Sequence, residues 1–320
     1  MKVKTVFMAS DPIAIESIKA VRDSDFCELV CIVSNPDRPK GRGNKLSPNP
    51  VSAWAIENGI ELLRPENSPS ENEINRFREL GAEFIVVMAY GKMLKMPILE
   101  YGKYPCLNLH ASLLPELRGA SPIESAIALG KKKTGISLMR IVKEMDAGDV
   151  CARLEVDIAD DETSQTLREK MSHAAAEIFS QNISSIINST AIFEKQDSSQ
   201  ATYARKFLKE DLRIDFELTA EEISARVRAF SFGTFELNNE VFKVCLPKVE
   251  NKNCNAVCGE VLEASAEAGL RVACKNSVIT FGMIQKPCAK MLHAKDFFAG
   301  NVIEKGTILL SSRSKPILKS

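Results

Sequence analysis

No apolar run in this 320-residue chain approaches the roughly 18 residues that a membrane-spanning helix needs. Net charge is missing as well. The 42 Lys and Arg offset 42 Asp and Glu, so a nucleic-acid partner would have to be met by local basic patches and not by a field over the whole surface. There is no Gly-rich dinucleotide fingerprint after the first strand-like run and no phosphate-binding P-loop, which argues against a nicotinamide or nucleoside-triphosphate enzyme. The start, MKVKTVFMAS, has neither the apolar core of a signal peptide nor the Arg/Ser-rich texture of a transit peptide, and a cytoplasmic protein is expected. Cysteine is not scarce, but its nine copies are odd in number and scattered, which does not make a disulfide framework. Cys254 and Cys258 have no second pair nearby, whereas a zinc site wants four ligands, so no metal is expected. Histidine is rare: His110, His173 and His293 are the three side chains suited to proton transfer near neutral pH.

The first 150 residues alternate between strand-like and helix-like segments. VKTVFMAS, CELVCIVS, IELLR, FIVVMA and CLNLH read as strands, mostly buried. Between them lie helical patterns, the first beginning at Pro12 after Asp11 as cap. The alternation predicts an α/β fold with a doubly wound, mainly parallel sheet. Two β-like segments, TGISLMRIV and DVCARLEVDI, precede a long helix expected from about Thr163 to Ile187. A Ser/Thr/Asn-rich stretch then reads as a linker over 189–206. Residues 207–320 carry one helical segment and several short β runs, the pattern of a small antiparallel barrel. The expected boundaries are therefore 1–188, 189–206 and 207–320.

Chemistry concentrates where CLNLH runs out into ASLLPELRG. Ligands of open α/β sheets bind beyond the carboxyl ends of the strands. Asn108 and His110 are two apart and share one side of the strand. A histidine can pass a proton and a neighbouring amide can donate to a developing oxyanion, although the pair alone equally suits a structural histidine. The segment KEMDAGDV offers a carboxylate, from Asp146 or Asp149, that could fold back on the ring, or simply form a turn. A second segment, NPDRPKGRGNKLSPNP (35–50), is a long connection bearing Arg38, Lys40, Arg42 and Lys45 against Asp37. It could meet phosphates or be a solvated insertion. His173 and His293 read as structural or surface residues.

Taken together, LNLHASLLPELRGASPIESAI followed by TGISLMRIVKEMDAGDV resembles the methionyl-tRNA formyltransferases, and the resemblance runs over essentially the whole chain. VVMAYGKML and the basic 35–50 segment add to it, the latter setting it apart from the smaller glycinamide ribonucleotide formyltransferases. The resemblance implies a Rossmann-like formyltransferase domain and a C-terminal OB-fold-like tRNA-binding domain. It implies formyl transfer from 10-formyltetrahydrofolate, a co-substrate, to the α-amine of initiator methionyl-tRNA, without metal and by a monomer. It implies Asn108, His110 and Asp146 as the catalytic trio. Ser112, Leu113, Leu114 and Pro115, with Tyr90 and Gly91, are implied at the folate, and Arg38, Lys40, Arg42 and Lys45 at the tRNA. The pattern departs at ASDPIA, at Ala111 and in IQKPCAKM near the end, the last bearing on RNA contacts of the C-terminal domain. A folate enzyme acting on another amine and a non-catalytic RNA-binding relative are the competing readings.

Overall fold

The computed structural model describes residues 1–40, 45–250 and 253–319, with the side chains of Lys40 and Lys45 left aside. Its chain order begins β1 (Val3–Met8), α1 (Ile15–Asp23), β2 (Cys27–Val33), β3 (Arg38–Lys40), β4 (Lys45–Ser47), α2 (Pro50–Glu57), β5 (Glu61–Leu63), α3 (Glu71–Leu80), β6 (Phe84–Val87) and α4 (Met96–Leu99). It continues β7 (Leu107–His110), β8 (Arg118–Gly119), α5 (Pro122–Ala128), β9 (Lys133–Arg140), β10 (Val150–Asp157), α6 (Ser164–Ile187) and β11 (Tyr203–Ala204). The last part holds α7 (Ala220–Phe230), β12 (Gly233–Leu237), β13 (Glu240–Glu250), β14 (Val261–Ser265), β15 (Gly269–Cys274), β16 (Ser277–Gln285), β17 (Leu292–His293) and α8 (Ala294–Phe298).

Two compact units form. The first comprises Met1–Pro122, Lys133–Asp157 and Arg168–Tyr203; the second comprises Ile123–Lys132, Ile158–Leu167 and Ala204–Ser320. The second unit thus takes in most of α5 and the first turn of α6, pieces that sequence texture alone assigns to the N-terminal part.

In the first unit a seven-stranded sheet has the order β10-β9-β7-β6-β1-β2-β5. The pairs β1–β2, β1–β6, β2–β5 and β6–β7 are parallel, and β7–β9 and β9–β10 are antiparallel. The sheet is therefore doubly wound and mainly parallel, as its apolar strands predict. Val6, Met8, Cys31, Val33, Ile85 and Val87 pack with Ile74 and Phe77 of α3, because strands covered on both faces need apolar residues at nearly every position. Helix starts follow the expected chemistry. Asp11 accepts from Ile13 N–H ahead of Pro12, and Ser70 and Glu73 form a capping box on α3, which ends at Gly81 in the left-handed region (φ +68).

The 35–50 segment is more structured than an unbroken loop. β3 and β4 pair antiparallel, Arg38 with Ser47, Pro39 with Leu46 and Lys40 with Lys45. This short edge hairpin tolerates Pro39, whose missing N–H would break a central strand.

In the second unit an antiparallel sheet runs β12-β13-β16-β15-β14, with β17 on β16. Its two edges do not stay open. Leu310 bridges Glu236 of β12 and Ile308 bridges Glu260 beside β14, so one C-terminal segment closes the sheet into a small barrel. Leu246 sits at φ +51 in the middle of β13 opposite Gly282, where the strand must bend. Phe216, Val244, Val261, Leu270, Ile279, Phe281 and Phe297 fill the core, against α7.

Candidate active site

β7 carries Leu107 and Leu109 inward and ends at His110, which is 6% exposed. The chain then leaves the sheet in a tight loop. Ser112 Oγ donates to Glu116 O (2.6 Å), Ser137 Oγ donates to Ser112 O (2.7 Å) and accepts from Leu114 N–H (3.0 Å), and Arg153 Nε donates to Leu114 O (2.8 Å). The loop returns so that Leu117 O meets His110 Nε2 at 3.1 Å. With Nε2 donating to that carbonyl, Nδ1 is the ring atom that takes or gives a proton.

Asp146 faces that atom. Its Oδ1 stands 3.7 Å from His110 Nδ1, and its Oδ2 accepts from Gly119 N–H at 2.8 Å. At 3.7 Å the two groups face each other without a direct hydrogen bond. The carboxylate comes from the loop between β9 and β10, where Asp146 has φ +50 and a Cβ at Gly148 would run into Arg140 O. The turn residues alone left Asp146 and Asp149 open and the resemblance implied Asp146; the fold turns Asp146 to the ring, while Asp149 accepts from Arg140 N–H through its backbone oxygen. Asn108 is half-buried on the same side of β7 and makes no side-chain hydrogen bond among the described residues, which leaves its amide free to donate. The fold thus brings His110 and Asp146 together, with Asn108 two positions earlier on the same strand.

The residues implied at the folate surround this point unevenly. Gly91 has φ +78 just beyond β6, the parallel neighbour of β7, and the chain there is tied down by Asn35 Nδ2, which donates to Tyr90 O at 3.0 Å. Tyr90 itself is 2% exposed, and burial, then Glu73, pushes its phenol up to about 12, so it stays neutral. Ser112 and Leu114 are also buried, Leu114 against Met139 and Val150, and Ser112 spends its hydroxyl inside the loop. Leu113 and Pro115 remain half-exposed, and Val142 and Met145 lie exposed on the Asp146 loop. These apolar faces suit the flat ring system of a folate, while the buried members shape the loop beneath.

Of the basic set, Arg38 is exposed on β3 and Lys40 and Lys45 lie on the paired strands; Arg42 falls outside the described residues. Arg64 pairs with Asp37 at 2.6 Å beside them. His173 is exposed on α6, and His293 is exposed at the N-cap position of α8 with no side-chain cap hydrogen bond.

Residues that the sequence does not single out also converge here. Gln196, in the stretch read as a linker, is 4% exposed and donates through Nε2 to Asp146 O (2.8 Å) and Gly148 O (2.7 Å). Glu194 bridges Val150, so this stretch is packed on the sheet edge and is not a free tether. Nothing in its Ser/Thr/Asn-rich texture signals that.

Known proteins match nearly the whole chain. The formyl transferase family model matches residues 1–183, and the formyl transferase C-terminal domain model matches residues 206–302. The methionyl-tRNA formyltransferase of Sulfurihydrogenibium sp. (strain YO3AOP1) is 35% identical over 307 residues, covering 95% of this chain and 98% of that one. That of Bacillus subtilis (strain 168) is 35% identical over 310 residues, covering 96% and 97%. Among solved structures, the N-formyltransferase from Helicobacter canadensis in complex with folinic acid and dTDP-3-aminofucose shares the fold with a TM-score of 0.66 at 18% identity, over 89% of this chain and 100% of that one. With both family models matched in order and relatives aligned along nearly their whole length, the chain belongs to the methionyl-tRNA formyltransferase family.

Proposed function

We propose that this protein transfers the formyl group of 10-formyltetrahydrofolate to the α-amino group of initiator methionyl-tRNA, with Asn108, His110 and Asp146 as its working residues. The observation that carries the assignment of roles is the approach of His110 Nδ1 to Asp146 at the end of β7, two residues after an unengaged Asn108 amide. The neutral amine attacks the formyl carbon, a bond forms from nitrogen to that carbon, and the bond from the carbon to the folate nitrogen breaks. Asn108 and His110 donate to the oxyanion of the tetrahedral stage; removing one such donor typically costs about 3–4 kcal/mol. The proton leaving the amine ends on the departing folate nitrogen, and His110, held by Asp146, carries it across. No covalent enzyme intermediate and no metal is required.

Leu113, Pro115, Val142 and Met145 supply the apolar wall for the folate, with the Tyr90–Gly91 turn at its edge. Arg38, Lys40, Arg42 and Lys45 meet the phosphates of the acceptor end, and the barrel adds further tRNA contact. The working division is a catalytic part over 1–188, a connection over 189–206 and an RNA-binding part over 207–320. The protein acts as a cytoplasmic monomer; no helix among the described residues is long and apolar enough to cross a membrane.

The test is direct. Purified protein, 10-formyltetrahydrofolate and charged initiator tRNA should give formylmethionyl-tRNA. Absence of product where a known formyltransferase succeeds, or equal activity on a free amino sugar nucleotide, would replace this reading. His110→Ala should remove turnover while tRNA binding stays near the parent level, whereas Arg42→Ala should chiefly weaken the tRNA-dependent rate.

A further inference from the structure

We propose that Arg118 and Gln196 are positioning residues that lock the Asp146 turn against His110. The inference rests on Asp146 being the carboxylate of formyl transfer. Arg118 is 2% exposed, and no carboxylate pairs with it among the described residues. A buried charge without a counter-charge is costly, so its surroundings must satisfy it by hydrogen bonds. Its Nε and Nη2 both donate to Gln196 Oε1, at 3.1 and 2.7 Å, and its Nη1 lies 3.4 Å from Tyr203 Oη.

Gln196 passes this on. Its oxygen takes two bonds and its nitrogen gives two, to Asp146 O and Gly148 O, so the amide is used in full. A cation on the amide oxygen polarises the group and strengthens its N–H donors. The two carbonyls flank a turn that resists its own shape: Asp146 is held at φ +50, and Gly148 has no room for a side chain. Gly119, the neighbour of Arg118, meanwhile grips Asp146 Oδ2 by its N–H and leaves Oδ1 for the ring. The dipeptide Arg118-Gly119 therefore holds Asp146 twice, by its side chain and, through Gln196, by its main chain. Neither Arg118 nor Gln196 hydrogen-bonds to the His110 ring or the Asp146 carboxylate among the described residues.

Gln196→Glu separates positioning from mere charge balance. The carboxylate still accepts from Arg118, now as an ion pair, but presents an oxygen where two carbonyls need donors. Charge balance alone predicts an unchanged kcat and a protein at least as stable. Positioning predicts a kcat lower by roughly 10- to 100-fold, as expected when a reacting group is displaced by about 1 Å. KM for both substrates should stay within about twofold. Amide hydrogen exchange over residues 143–149 of the full chain should quicken severalfold, with the remainder unchanged. Arg118→Lys keeps the charge but loses the two-pronged grip on Oε1, and should fall between the parent and Gln196→Glu in both readouts. Parent-like kcat and exchange in Gln196→Glu overturn the proposal; should that variant not fold, parent-like values in Arg118→Lys do so. If the parent itself fails to formylate methionyl-tRNA, the assigned reaction falls, while the exchange contrast still decides the lock.

Discussion

At the scale of single residues, the site is a matter of reach. His110 has an acceptor on each side, Leu117 O at 3.1 Å and Asp146 at 3.7 Å, and one of them arrives from thirty-odd positions along the chain. Removing the carboxylate's charge by Asp146→Asn should lower kcat by roughly 10²- to 10⁴-fold, the range of general acid–base assistance, with folate KM nearly constant. Asn108→Ala should cost roughly 10²- to 10³-fold in kcat as a lost oxyanion donor. Single-turnover formylation at saturating tRNA checks both; a loss confined to KM would assign these residues to binding. The Asn-x-His pair was legible because it ends a short apolar strand. From the turn alone its carboxylate was legible only as a choice between Asp146 and Asp149, since either fits an Asp-Ala-Gly-Asp turn; the family resemblance pointed to Asp146. Gln196 and Arg118 were not legible as a pair at all: hydrogen bonds between distant polar side chains leave no periodicity.

At the scale of elements, the loop after β7 depends on the strand beneath it. A Cβ at Gly135 of β9 would press into Leu154 O and Leu113 Cδ2. Gly135→Ala should therefore both destabilise β9–β10 and displace Leu113, raising folate KM more than tRNA KM. Steady-state titration of each substrate reads this; equal effects would place Leu113 away from the folate. In the barrel unit the element ends are held by charge. Arg205 meets Asp211 through Nη1–Oδ2 (2.7 Å) and Nη2–Oδ1 (2.6 Å), and Leu208 N–H adds a third bond. Burial pushes the Asp211 carboxyl up, but Arg205 and the Leu208 N–H outweigh it and hold it below its ordinary 3.8. Its stabilisation is therefore present above that ordinary value and is lost as pH falls through the lowered one. Asp211→Ala, which leaves Arg205 unpaired, should cost about 3–5 kcal/mol at neutral pH. Asp211→Asn should flatten the loss of stability below about pH 4. Denaturant unfolding of the full chain at several pH values measures both. Strands, caps and the long helix were readable here because periodicity and cap residues act within one or two turns. The β3–β4 hairpin, α4, β12 and α8 were not, being short and set by what they pack on.

For the whole molecule, balanced charge means that tRNA recognition rests on local patches, and their signature is salt. The tRNA KM should rise log-linearly with salt, by up to roughly 0.9 log unit per log unit of salt for each phosphate contact, while folate KM stays flat. Arg42→Ala should lower that slope by about one contact. A folate KM that moved in parallel would point to a general effect of salt on the protein. The division into units also belongs to this scale. Sequence texture placed the break at 189–206, yet Ile123–Lys132 and Ile158–Leu167 cluster with the C-terminal unit and Gln196 is buried in the first. The sequence by itself determined the alternation of buried strands and helices, the barrel's short runs and the identity of the Asn-x-His strand end, because burial on both faces and capping are written in neighbouring residues. Only the tertiary structure showed how Asp146 reaches His110 across the sheet end, that one C-terminal segment closes the barrel at both edges, and that an Arg and a Gln seventy-eight positions apart meet beside the Asp146 turn. Those outcomes depend on where chains cross in space, and the energy that selects them is shared among partners with no local trace in sequence.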